Sequence, residues 1–144
     1  YPISNQCNQY VEHAGHANAC LAAAAGECAR EAGRFWEVAG AMFKNQEYLG
    51  PDDIRFMVQQ NGMDAALFEQ CMAKPETAQA VVADILAGGK AGVAGTPSIY
   101  LLGAFGPGKW VRLTGDREEI NRVLAAVRAG ETLPAPRVPE QLPE

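Results

Sequence analysis

Cys7, His13, His16 and Cys20 place two thiols and two imidazoles in one short stretch, spaced C-x5-H-x2-H-x3-C. Three chemistries use such groups. Thiolates and imidazoles together bind zinc, but this spacing is not one of the recurrent structural zinc patterns. A redox pair needs one thiolate at a helix N-terminus and a resolving partner one turn away, which this separation does not enforce. A disulfide needs only the two cysteines, and closing a loop of this size stabilises a fold by about 3 kcal/mol.

The remaining cysteines, Cys28 and Cys71, each fall on the apolar stripe of a helical segment. Two buried thiols and a second disulfide, the latter worth roughly 4 kcal/mol, are equally compatible with that placement. Neither position is expected at a helix N-terminus, so a reactive, low-pKa role is not expected. No C-x-x-C occurs anywhere in the chain.

A second stretch, "GVAGTPSIYLLG", puts Pro97 at the mouth of an apolar strand, where it cannot donate to a sheet ladder. From the pattern alone a trans turn is the simpler reading. A cis Thr96–Pro97 bond would instead expose main-chain groups that can pair with an extended peptide.

The elements that must position these residues follow from periodicity. "YPIS" reads as the end of a strand. Residues 17–32 form an alanine-rich helix with Leu21, Ala24, Ala25 and Cys28 in one stripe, broken by Gly33. "RFWEVAGAMFKNQ" forms a second helix, and Phe35, Trp36, Phe43 and Tyr48 are expected to pack in the core. "GPDDIRFMVQQNG" is punctuated by proline and acids at its start and Asn61-Gly62 at its end. "DAALFEQCMA" presents Leu67, Phe68, Cys71 and Met72 on one face. "PETAQAVVADILAGG" starts at Pro75 and is expected to bury Ala78, Val81, Val82, Ile85 and Leu86. "TPSIYLLG" and "KWVRLTG", joined through "AFGPG", read as an antiparallel hairpin. "DREEINRVLAAVRAG" is a helix capped by Thr114 or Asp116, with Ile120, Val123, Leu124 and Val127 inward. The tail "ETLPAPRVPEQLPE" is too proline-rich for a helix or strand.

At 144 residues the chain suits one domain with a real core. A net charge of −5 without a basic run argues against nucleic acid or an anionic membrane surface as the main partner. No apolar run approaches a membrane span, and no secretory signal is visible. No serine–histidine–acid triad, Walker loop or dinucleotide fingerprint is present, and no cofactor is expected.

"ECAREAGRFWEVAGAMFKNQ", "FEQCM" and "GVAGTPSIYLLG", in this order, resemble the DsbA-like thioredoxin-fold proteins, which are exported thiol–disulfide oxidoreductases. The resemblance covers roughly residues 1–130. It implies an α/β, thioredoxin-like fold with an inserted helical bundle over about residues 16–90, followed by a tail at 131–144. It implies that Pro97 is a cis-proline facing the active site and that Thr96, before it, contacts substrate. With export implied, Cys7–Cys20 is read as a structural disulfide without bound metal, and His13 and His16 as surface or capping residues.

The chain departs from the family at one point. The reactive dithiol belongs at the start of the first helix, after the first, central strand, and this chain begins at the second strand. The first strand, the first helix and the catalytic C-x-x-C are therefore expected upstream of Tyr1, and no catalytic residue is assigned here. Without that strand, "YPIS" and "TPSIYLLG" would flank a gap of roughly 10 Å. A strand-donating segment or chain is accordingly expected. The implied partners are protein or peptide substrates along the proline loop and a membrane redox partner. The implied location is extracytoplasmic, in the periplasm or cell envelope, with membrane tethering through other parts. The contrasting reading is a redox-inactive binding or structural subunit.

Overall fold

The computed structural model describes residues 1–13, 15–93, 96–102, 110–113 and 115–131. The turn "AFGPG", Thr114 and the tail beyond Glu131 lie outside the described residues. Six helices and two strands are described, arranged in two compact units, residues 1–89 and 90–144.

The first unit is helical, and its corners are written in the sequence. Helix α1, Ala19–Glu31, is built on alanine, the best helix former. It stops where Gly33 takes φ +68°, a left-handed conformation that costs glycine little. Helix α2, Phe35–Lys44, starts two residues later. Helix α3, Pro51–Gln60, has Pro51 in its first turn, and Asp53 Oδ2 accepts the Gly50 amide at 3.1 Å. Helix α4, Ala65–Met72, is capped by Asp64, whose carboxylate accepts the Leu67 amide at 2.9 Å. Helix α5, Pro75–Lys90, ends the unit.

Helix α1 packs against α2, α3 and α4, and α3 also touches α2 and α4. The core at their centre is formed by Ala25, Cys28, Ala29, Val38, Ile54, Val58, Met63, Phe68 and Cys71. Small residues on α1 let its neighbours approach closely. Gly26, for example, faces the Phe35 ring, and a Cβ added there would stand in ordinary contact with Cε2, at 3.6 Å.

Three expectations about this unit are corrected. "YPIS" is not in a strand. Its carbonyls are used in a local loop, where Ser4 O accepts the amides of Cys7 and Asn8, and Ile3 O accepts that of His16. The aromatic residues do not line the core. Trp36 is 82% exposed, Phe43 75%, Tyr48 64% and Phe35 37%. Their helix points Val38 and Ala39 inward, which turns Trp36 and Phe43, two turns apart on one stripe, about a third of a turn away. Helix α5 buries Thr77, Val81 and Ile85 at i, i+4 and i+8, leaving Ala78, Val82 and Leu86, each one residue further round, exposed. Leu67 on α4 is exposed for the same reason of helical phase.

The second unit carries a hairpin of β1, Ile99–Leu102, and β2, Trp110–Leu113, with Ile99 opposite Leu113 and Leu102 opposite Trp110. Helix α6, Arg117–Ala129, is capped by Asp116, whose carboxylate accepts the Glu118 and Glu119 amides, and ends at Gly130 with φ +70°. None of its residues is fully buried, and Val127 is exposed, against the expected inward stripe. Helices with a small sheet make this an α/β chain.

Candidate functional site

The segment leading into β1 is tied to the hairpin it precedes. The Tyr100 hydroxyl donates to the Ala91 carbonyl at 2.9 Å. The Arg112 guanidinium reaches back from β2 to the Gly92 carbonyl at 3.5 Å and to Ser98 Oγ at 3.4 Å. These contacts hold both ends of the segment that carries Thr96 and Pro97. Both residues are exposed, and the peptide bond between them is cis. Among the described residues β1 is paired on one edge only, with β2.

The cysteines form two cross-links, Cys7–Cys20 and Cys28–Cys71, with Cα atoms 6.0 and 5.8 Å apart. The first closes the loop that enters α1. Asn8 organises this loop from inside. It is fully buried, donates its side-chain amide to the Pro2 carbonyl at 2.8 Å, and accepts the Tyr10 amide at 3.0 Å. Sequence reasoning missed Asn8, because nothing in its spacing distinguishes a buried asparagine from a turn residue. His13 and His16 are both exposed, and no metal-holding cluster is found among the described residues.

The second cross-link ties α1 to α4 inside the core, with Cys28 2% and Cys71 7% exposed. Thr77 closes over it. Its hydroxyl donates to the Cys71 carbonyl at 2.7 Å and lies 3.5 Å from Cys71 Sγ. On the outer side is an open cleft of about 510 Å³, lined by residues that include Glu31, Met63, Phe68, Cys71 and Lys74. Lys74 Nζ pairs with Glu31 Oε2 at 3.3 Å, and that carboxylate stands 3.8 Å from Cys71 Sγ. A negative group there opposes an approaching thiolate. Both half-cystines lie well inside their helices or near a C-terminal end, where the helix dipole gives a thiolate no help. The arrangement is suited to holding helices together, and unsuited to exchange.

Glycines at the end of α5 were also missed. A Cβ on Gly88 would run into the Tyr1 ring, and one on Gly89 into the Tyr10 ring. Two tyrosines from the chain's first loop thus lie against bare helix backbone, a close approach that only glycine permits.

The chain belongs to the DSBA-like thioredoxin domain family, whose model matches residues 6–115. It is also similar to a curated protein of Salinispora tropica described as Na(+)/H(+) antiporter NhaA 3, with 31% identity over 88 residues. The match takes in 61% of this chain and 14% of that protein, so the chain spans a small part of its relative's length. No solved structure matches.

Proposed function

We propose that this chain is the larger part of a thiol–disulfide exchange domain that acts on extracytoplasmic protein substrates. In this reading residues 1–130 form the domain, with a helical insertion over about 16–90 and a tail at 131–144. The single observation that carries it is the family match across residues 6–115, which takes in Thr96 and Pro97 at the entrance to β1. Their exposure, next to a strand with an edge open among the described residues, supports a groove where an extended substrate segment pairs with backbone. Thr96 and Pro97 are the substrate-facing residues.

The electron-transferring dithiol is supplied from outside these 144 residues, as a C-x-x-C on a strand–helix segment that also contributes the central strand. An extracytoplasmic location is supported by the two disulfides, which persist in oxidising compartments. Among the described residues no helix is long and apolar enough to cross a membrane. Similarity to part of a protein described as an antiporter supports tethering to, or partnership with, a membrane protein.

A second reading, a redox-inactive binding module, is favoured by one specific observation: all four cysteines are already bonded in pairs. Insulin reduction by the 144-residue chain and by the intact gene product separates the two. The exchange reading expects turnover from the intact product alone, abolished by changing its C-x-x-C cysteines. An intact product that carries no such pair and never turns over leaves the binding module standing.

A further inference from the structure

Trp36 and Phe43 are the two most exposed large apolar side chains of the chain's described residues, and they share one stripe of α2. Between them on that stripe lies Gly40, and a Cβ built there would meet nothing within 4 Å. The stripe is therefore a notch of bare backbone with an aromatic wall on either side. The Phe35 ring meets Trp36 edge-on at 5.1 Å between centroids and faces Gly26 of α1.

We propose that this face binds a second copy of the same chain, through antiparallel packing of two α2 helices about a twofold axis at Gly40. The face is self-complementary under that operation. With the glycines opposed, Trp36 of one copy comes beside Phe43 of the other, and the reverse, because the two residues stand almost equally far on either side of Gly40. The same symmetry pairs the charges. Glu37 and Lys44 lie on one rim of the stripe, two turns apart, so each Glu37, which already stands 3.5 Å from Arg34 Nη1 of its own chain, also comes beside the other copy's Lys44.

The area is that of a reversible dimer. Aromatic side chains bury ~150–250 Å² each, so the exposed portions of Trp36 and Phe43 offer ~300 Å² per copy. With the stems of Glu37 and Lys44, the total removed from water reaches ~1,000 Å², at the lower limit for a specific interface. An interface at that limit is reversible, and association is read by varying the concentration.

Sedimentation velocity of the 144-residue chain from low micromolar to several hundred micromolar is the primary test. A monomer–dimer equilibrium is expected, and Trp36→Ser or Phe43→Ser should weaken it more than tenfold without changing the helical circular dichroism. Glu37→Lys and Lys44→Glu should each weaken it alone and recover association when the two variants are mixed. In a Trp110→Phe background, which leaves Trp36 as the sole tryptophan, emission should move to the blue as concentration rises. A monomer at every concentration overturns the proposal, as does a dimer indifferent to Trp36→Ser or a charge exchange that restores nothing. A Trp36 shift that appears only on adding lipid vesicles or a reduced protein substrate assigns the face to that occupant instead, and equally overturns it.

Discussion

Replacing Cys28 and Cys71 together by alanine tests how this helical unit is held. The bond spans a sequence separation of 43 residues, against 13 for Cys7–Cys20. On the chain-entropy relation the longer loop is worth about 4 kcal/mol and the shorter about 3. The sites also differ in packing. Cys28 and Cys71 are core residues, so removing their sulfurs leaves two small voids, each adding up to about 1 kcal/mol. Cys7 and Cys20 are half-buried and leave no core void. The expected losses are therefore about 4–6 kcal/mol for Cys28→Ala/Cys71→Ala and about 3 for Cys7→Ala/Cys20→Ala.

Equilibrium urea unfolding followed by far-ultraviolet circular dichroism reads the difference, since α1 to α5 supply most of the helix. With a slope of about 2 kcal/mol per molar urea, the first pair should lower the midpoint by roughly 2–3 M and the second by about 1.5 M. Partial reduction under native conditions gives an independent readout. Alkylation and mass mapping should find Cys7 and Cys20 opened first, because Cys28 and Cys71 are shielded by Thr77 and the Glu31 carboxylate. Equal losses from the two double variants would refute the loop-closure argument. Prior opening of Cys28–Cys71 would refute its role as a structural tie.

Two further substitutions probe single contacts. Gly89→Ala should destabilise by about 1–3 kcal/mol through overpacking against the Tyr10 ring, despite alanine's better helix propensity. A Gly89→Ala/Tyr10→Ala double variant should lose little beyond Tyr10→Ala alone, and additive losses in thermal unfolding would show that the ring is not what the methyl strikes. Thr77→Val should cost only about 1 kcal/mol by denaturant titration. The Cys71 carbonyl it abandons still accepts the Lys74 amide at 3.0 Å, so a loss above about 2.5 kcal/mol would mean the hydroxyl does more than that one bond.

What the sequence makes legible is what short-range rules govern. Gly33, Pro51, Asp64 and Asp116 act on backbone groups within a few residues, and each begins or ends a helix where local chemistry puts it. The hairpin, too, follows from two β-rich runs across a glycine-proline turn. Thr96 and Pro97 are a different case. The pattern around them favours a trans turn, and only the resemblance of longer segments to a family points to a substrate-facing pair.

The misreadings share one physical cause. A helix's sequence shows which residues lie on a common face, and leaves open which face the rest of the molecule covers. Trp36 and Phe43 do share a stripe, and Val82 and Leu86 do too. On α2 the smaller Val38 and Ala39 hold the inward position, and on α5 it is Thr77, Val81 and Ile85 that do so. On α2 the reason is α1, which brings its neighbours close with alanine and glycine. Where α2 meets α1 the core is lined by Ala25, Ala29 and Val38, and close packing there leaves little room for a tryptophan ring. The aromatic bulk that marks α2 as a core helix in the sequence is therefore what the packing turns outward. A large, exposed aromatic face on a helix unit is costly to leave wet, and that cost is the physical basis for a second copy docking there.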